Sequence, residues 1–338
     1  MASSSAARPI IEPIIESDQI VKVKHSDGTK TINGFLVKEL LGSGTFAKVK
    51  RCEQESSADE FAIKVFRKLR LRKQREYTGG GGGGGMKVRT ALDKVYDEIQ
   101  VMRTVVDPYC IRLYAVFDDP APAGKIYLVI EYAARGPTMD CEADRCVYFV
   151  PDTKGSSLGE DVAKSYVSDT LRGLRYLHGC SIAHRDIKPQ NLLVDADGYV
   201  KVADFTVSIR MDEDFQVVGT EGTYTFFSPE MCKSGYKGHD GRRADVWAAG
   251  VSLWAFLYGS VPFFEADLVR LLDSIAEAKY ELPPVQFESP ECLAFLARLL
   301  TPEPLDRPLV EDMLRDAWCT EGRGAGGGAG RPEFAPSG

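Results

Sequence analysis

The chain lacks a C-x-x-C pair: its eight cysteines are scattered through 338 residues with no ligand-like spacing. That excludes the usual structural zinc pattern and leaves reduced thiols in an intracellular compartment as the simple reading. It also lacks a basic excess. A net charge of −7 excludes a general nucleic-acid or membrane-surface binder, while leaving room for local basic patches. The first residues, M-A-S-S-S-A-A-R-P, lack the apolar h-region of a secretory signal; being Ser/Ala-rich with one Arg they leave an organellar transit peptide as an alternative, against which Glu12 and Glu16 argue. No uninterrupted apolar run reaches membrane length. Residues 246–264 come nearest, but Ser252, Gly259, Ser260 and Pro262 break that run and Asp245 heads it, which predicts a buried core helix and no membrane span. These absences point to a cytoplasmic or nuclear location.

What is present is ordinary globular composition, 44% hydrophobic and 27% charged, with length for two lobes or one large domain. Residues 1–34 alternate short apolar runs with charges and read as an extended leader. From Gly34 the pattern turns strand-rich: F-L-V-K-E-L-L, a glycine turn, A-K-V-K-R-C, then E-F-A-I-K-V-F. Residues 67–75 are strongly basic and a run of seven glycines, 79–85, follows; glycine runs order only at high entropic cost, so 67–88 reads as a flexible insertion. Helical periodicity resumes at Ala91, two more strands are predicted near 111–117 and 126–131, and the chain beyond 155 is mainly helical. Ser157 and Glu160 have capping-box spacing at the head of one such helix. A strand-rich half before a helix-rich half predicts an α+β protein with a crevice between its lobes.

The chemistry is concentrated in residues 184–205, H-R-D-I-K-P-Q-N-L-L-V-D-A-D-G-Y-V-K-V-A-D-F. Asp186 is a proton acceptor for a hydroxyl nucleophile and Lys188 a cation for a transferring phosphoryl group. Asn191 and Asp204 are oxygen ligands for a hard divalent metal such as Mg2+. The turn D-A-D-G at residues 195–198 folds Asp204 back towards Asn191. Phosphoryl transfer needs this set because its catalysis is mainly positioning and charge neutralisation. Residues 42–49, G-S-G-T-F-A-K-V, lie between two predicted strands, which disfavours a dinucleotide fingerprint and favours a hairpin lid over phosphates. An ordinary glycine-rich hairpin reads equally well from the loop alone. Lys64, in the next strand, is either an edge lysine or a phosphate-pairing one, with Glu98 of the following helix as its partner or as a solvated glutamate.

In this order the motifs resemble the eukaryotic serine/threonine protein kinases over roughly residues 35–318. S-P-E at 228–230, D-V-W at 245–247 and Arg307 in L-D-R-P extend the match. The resemblance implies a two-lobed fold, with an antiparallel-sheet lobe at 35–131 carrying one main helix, a larger helical lobe at 132–318 and a Gly-rich disordered tail at 319–338. It implies ATP and Mg2+ as cofactors, catalysis by Asp186, Lys188 and Asn191, and metal binding by Asn191 and Asp204. Nucleotide binding would fall to the loop Leu41, Gly42, Ser43, Gly44, Thr45, Phe46, Ala47, Lys48 and Val49, with Lys64, Glu98 and Asp204. Ile130 would be the gatekeeper, Glu131 and Ala133 would contact adenine through the backbone, and Val49, Ala62 and Leu193 would sandwich the ring. Arg307 would pair with Glu230, and Thr223 would brace the catalytic carboxylate. Thr220 would be a regulatory phosphorylation site read by Arg185.

V-Y-D-E-I, V-F-D-D-P, Y-L-V-I-E-Y and R-G-P-T-M-D, with the insertion after the lysine strand, narrow the resemblance to the calcium/calmodulin-dependent protein kinase kinases and their plant and protist relatives. That group implies protein substrates that are themselves kinases, phosphorylated on their activation loops. The basic insertion would be a substrate-docking element or a solvated loop. A downstream calcium- or AMP-regulated effector kinase and a catalytically weak scaffold are the rival readings. Two departures stand out. Thr206 replaces the glycine after D-F, and a β-branched residue there is expected to stiffen the backbone and restrict flipped states. The tail after Trp318 has no basic amphipathic periodicity, so either direct calmodulin binding is not expected of this chain or the chain is incomplete.

Overall fold

The computed structural model describes residues 13–320 apart from 45, 79–86, 143, 152, 154 and 284–287. The chain divides into two compact units. The first runs to Val106 and takes in Arg112–Tyr132; the second comprises Asp107–Ile111 and everything from Ala133 onward.

The first unit is built on an eight-stranded sheet. In chain order its strands are Ile15–Ser17, Lys22–Lys24, Lys30–Ile32, Phe35–Ser43, Ala47–Gln54, Glu60–Arg67, Leu113–Asp118 and Lys125–Glu131, and their order across the sheet is first, seventh, eighth, sixth, fifth, fourth, third, second. Only the pairing of Ile15–Ser17 with Leu113–Asp118 is parallel. The strands at Phe35, Ala47, Glu60, Leu113 and Lys125 fall where the alternating apolar residues predict them. Their core-facing side chains (Phe35, Cys52, Ile63, Phe117, Tyr127 and Val129) form one buried cluster. The described part of the leader adds three strands to this sheet. Asn33 and Gly34 both take positive φ, 46° and 83°, the geometry of a two-residue Asn-Gly hairpin turn.

The insertion after Arg67 begins with a short helix, Lys68–Lys73, in which Leu71 is buried. A two-stranded ribbon follows, Arg75–Thr78 against Lys87–Thr90; the glycine run between them lies outside the described residues. The helix Ala91–Met102 starts from a capping box in which Thr90 and Asp93 satisfy each other's backbone N–H. It buries Leu92, Val95, Glu98 and Ile99.

The second unit is mainly helical: Glu160–Gly179, Gly241–Tyr258, Leu268–Glu277 and Pro290–Leu299 are its longest elements. Gly241–Tyr258 is buried on nearly all sides, as its apolar run predicts. Asp240 caps its start, and its end is Gly259 at φ 66°, where a Cβ would run into the Ser156 carbonyl. No described helix is long and apolar enough to cross a membrane. The capping box expected from Ser157 and Glu160 does not form. The helix starts at Glu160 with Gly159 as its N-cap, and the Glu160 carboxylate instead accepts from Ser289 N, Ser289 Oγ and Trp318 Nε1, each at 2.7 Å. Three tertiary donors outcompete one local amide. The tail beyond residue 320 lies outside the described residues.

Candidate active site

In the first unit the glycine segment is a hairpin tip, as its position between strands predicts. Gly42 pairs with Val49 and Ser43 with Lys48 across the ladder, and Gly44 N donates to Ala47 O at 2.9 Å. Leu41 is exposed, Phe46 and Ala47 are half-buried, and Thr45 lies outside the described residues. A Cβ at Gly42 would meet nothing within 4 Å and at Gly44 only the Ala47 carbonyl at 4.0 Å. Neither packing nor a positive φ requires glycine at these two places; the open space suits a ligand that comes close to the backbone.

Register puts Lys64 opposite both Val49 and Leu128, and Ala62 opposite Ile130. Cross-strand partners share a sheet face, so Val49, Ala62, Lys64 and Ile130 form one surface. Lys48 alternates to the other face. Lys64 Nζ lies 2.6 Å from Glu98 Oε1, and the Glu98 side chain is 1% exposed. The solvated alternative for Glu98 is therefore excluded: it is a buried counter-ion that fixes the ammonium group. Glu131 N donates to Arg112 O at 2.9 Å, and Glu131 pairs with Phe61 across the ladder.

In the second unit the loop at 184–191 is pinned from below by Asp245, at the start of Gly241–Tyr258. Its carboxylate accepts from His184 N and Arg185 N, both at 2.8 Å, and contacts His178 Nε2 at 2.9 Å. Burial alone would raise the Asp245 pKa; the His178 bond and charge, with the neighbouring donors, outweigh it and hold the group below the usual carboxylate range. These bonds let Arg185 keep φ 71°, a strained conformation for a non-glycine residue. His184 is fully buried, and burial lowers its pKa despite the charge of Asp245. Its neutral ring donates from Nε2 to Ala203 O at 3.0 Å and packs edge-on against Phe205.

The Asp186 carboxylate is held at both oxygens. Oδ1 accepts from Thr223 Oγ1 at 2.7 Å; Oδ2 accepts from Lys188 Nζ and Asn191 Nδ2, each at 2.8 Å. Lys188 Nζ also donates to Thr223 Oγ1 at 2.8 Å, and Asn191 Nδ2 to the Asp186 carbonyl at 2.8 Å. With its amide nitrogen committed in this way, Asn191 presents Oδ1 as a ligand oxygen. The short strands Leu192–Val194 and Val200–Val202 pair around the D-A-D-G turn, and Ala203 N donates to Asn191 O at 2.9 Å. Asp204 thus emerges beside Asn191, as the turn predicts. The two supply amide and carboxylate oxygens, a donor set that fits a hard divalent cation. Leu193 is half-buried on its strand, and Ala133 is buried.

Thr206 makes a contact in addition to the expected stiffening. The left-handed residue is Asp204 itself, at φ 64°, and Thr206 Oγ1 donates to Asp204 Oδ1 at 2.6 Å. Thr206 itself takes no positive φ, and its hydroxyl fixes one oxygen of the Asp204 carboxylate.

Further along the segment, the Arg185 guanidinium is buried and donates to the carbonyls of Val207 and Gly219, at 3.3 and 3.2 Å, with Glu221 at 3.9 Å. Thr220 is exposed between Gly219 and Glu221. Gly222 sits at φ 122°, where a Cβ would collide with the Arg185 carbonyl. Glu230 and Arg307 form the bidentate pair implied by the motifs, at 2.8 and 2.9 Å. Arg307 is fully buried and also reaches the carbonyls of Thr301, Arg243 and Pro302. Sequence reasoning noted D-V-W but assigned Asp245 no role. The signal available was an acidic residue at the head of an otherwise apolar helix.

The family model of the protein kinase domain matches residues 35–319. A probable serine/threonine-protein kinase of Dictyostelium discoideum is 33% identical over 301 residues, 88% of this chain and 40% of that protein. Serine/threonine-protein kinase GRIK1 of Arabidopsis thaliana is 32% identical over 93% of this chain and 73% of its own length. CBL-interacting serine/threonine-protein kinase 20 of the same plant is 32% identical over 88% of this chain and 61% of its own. The chain thus spans from two fifths to about three quarters of these relatives. With the family model covering most of its length, the chain belongs to the eukaryotic serine/threonine protein kinases.

Proposed function

We propose that this chain transfers the γ-phosphoryl group of ATP to serine or threonine hydroxyls of protein substrates, and that those substrates are other protein kinases. The observation that carries the transfer is the Asp186 carboxylate, fixed by Thr223, Lys188 and Asn191 at 2.7–2.8 Å. Held this way, Asp186 orients the incoming hydroxyl and accepts its proton as the new P–O bond forms and the bond from the γ-phosphorus to the bridging oxygen breaks, releasing ADP. Lys188 neutralises charge on the transferring group, and Lys64, steadied by buried Glu98, holds nucleotide phosphates. Asn191 Oδ1 and the Asp204 carboxylate would hold Mg2+, which would offset the charge of the triphosphate. The open space above Gly42 and Gly44 supports close approach of phosphate to the hairpin. A silent scaffold would not need so complete a set.

Kinase substrates are supported by the segments that resemble the calmodulin-dependent kinase kinases. The equal similarity to a CBL-interacting kinase favours a second reading, an effector kinase acting on other proteins. Incubating the purified chain with ATP, Mg2+ and a panel of activation-loop peptides beside generic serine/threonine peptides separates them. Selective phosphorylation of the loop peptides supports the upstream role. Transfer to generic peptides alone would leave the effector reading, and no transfer by wild type beyond an Asp186→Asn control would sink both.

A further inference from the structure

On the sheet face opposite Val49 and Lys64, the first unit has a cavity of about 410 Å3 that nothing above uses. Lys22, Lys24 and Lys30 reach it from the leader hairpin, Lys48 and Lys50 from the strand after the glycine turn, and Arg67 and Lys125 from two further strands. Among the described residues no carboxylate lines it. Its floor is apolar, with Val37, Val65 and Tyr127, and Lys22 Nζ stands 5.7 Å above the Tyr127 ring. Other cations of this sheet are neutralised: Arg51 pairs with Glu39 at 2.6 Å, and Lys38 pairs with Glu53. None of the seven in the cavity has a carboxylate partner among the described residues.

Seven unneutralised cations around one concavity, in a chain of net charge −7, repel one another and destabilise the folded unit unless an anion joins them. Lys125 registers that repulsion: burial, and then the charges of Lys22, Arg67 and Lys30, lower its pKa from the ordinary lysine value. Arg67 and Lys125 also line a neighbouring cavity with Arg70 and Lys73. Part of the basic stretch at 67–75 therefore continues this surface.

We propose that the cavity binds a polyphosphorylated small molecule, a chemistry shared by free inositol polyphosphates and phosphoinositide headgroups. Charge density decides among anions. A cavity of about 410 Å3 is about 9 Å across if taken as a sphere, and an extended peptide places same-face side chains about 7 Å apart, at roughly 3.3 Å per residue. An acidic peptide thus brings one or two carboxylates to seven cations. Each phosphate monoester carries about −1.5 to −2 charges, so a ring bearing several of them supplies the compensating charge within that volume. A nucleic-acid duplex is too wide to enter and could touch only the rim.

The test is calorimetric titration of the purified full chain with inositol hexakisphosphate in about 150 mM salt, where long-range surface attraction is screened. Micromolar binding is expected, weakened at least about tenfold in Lys30→Ala/Lys125→Ala and unchanged in Lys233→Ala/Lys279→Ala, which removes equal charge elsewhere. Because Lys125 is half-buried, Lys24→Ala/Lys30→Ala, at exposed positions, is measured in parallel with melting temperatures for every variant. Vesicles carrying a bisphosphorylated phosphoinositide, beside phosphatidylserine vesicles, identify the source. Binding to the phosphoinositide vesicles marks a membrane headgroup; binding of the free compound alone marks a soluble ligand. Equal loss in the remote double variant, or tighter binding of oligoglutamate or single-stranded RNA than of the polyphosphate, would overturn the proposal. So would no binding by wild type.

Discussion

Thr223 donates its hydroxyl to Asp186 at 2.7 Å and at the same time accepts from Lys188 at 2.8 Å. One side chain from residues 204–230 thereby joins the proposed proton acceptor to the proposed phosphoryl-facing cation. Replacing it with valine keeps the shape and removes both bonds. We expect kcat to fall about 10- to 100-fold, the range for losing one well-placed catalytic hydrogen bond. The KM for ATP should stay within about twofold, because no nucleotide-facing residue of the first unit is altered. Thr223→Ser should retain most activity. Steady-state kinetics of the three proteins check this; a change confined to KM would show that Thr223 serves binding instead.

Lys64 and Glu98 make a sharper case, because structure and chemistry can be separated there. Glu98 is almost wholly buried and lies 2.6 Å from Lys64. Lys64→Met strands a buried carboxylate and should cost on the order of 3 kcal/mol of stability as well as activity. Adding Glu98→Gln removes the uncompensated charge. The double variant should recover most of the lost stability in urea titrations while phosphoryl transfer stays abolished. If activity returned along with stability, Lys64 would be a structural residue only.

The Thr206 hydroxyl holds Asp204 Oδ1 at 2.6 Å, next to a backbone strained at φ 64°. Thr206→Val keeps the β-branch and deletes the donor. The Mg2+ concentration for half-maximal activity should rise several-fold, since an unoriented ligand costs more to order around the ion. Thr206→Gly should shift it at least as far. An unchanged Mg2+ titration in both variants would mean that the hydroxyl has no part in positioning the carboxylate.

The strands and helices of the kinase domain were legible because their apolar spacing is imposed by burial on one face: 60–67 alternates, 91–102 repeats at helical spacing, and both form. The residues proposed for catalysis stood out in the sequence because phosphoryl transfer leaves few alternatives to an acid, a lysine, an amide and a second acid at that spacing. The leader was harder. Its strands are three residues each, one at one end of the sheet and two at the other, so no run was long enough to show a period. The signals present were the turn pairs Asp27-Gly28 and Asn33-Gly34, which hairpins favour for their positive φ. Ser157 and Glu160 misled for the opposite reason. A capping box is a local rule, and Ser289 and Trp318, far along the chain, supplied better donors for Glu160 than the helix start could. The cluster of lysines in the first unit was invisible because its members come from five separate strands.

The pair Glu230–Arg307 predicts how the second unit responds to acid. Burial would raise the Glu230 pKa, but the Arg307 bonds and charge hold it below its ordinary 4.5. A carboxylate with a depressed folded-state pKa stabilises the fold above the unfolded-state value, and that contribution disappears as pH falls through the folded one. Wild-type stability should therefore decline steeply below about pH 4.5. Glu230→Gln should lose stability at pH 7, on the order of 3 kcal/mol, because Arg307 is left buried without a counter-charge. Its further decline in acid should be shallower than that of wild type, since the titrating group is gone. Urea midpoints measured from pH 7 to pH 3 decide the matter. Parallel acid slopes in the two proteins would show that other carboxylates govern the transition and that this buried pair contributes geometry without pH dependence.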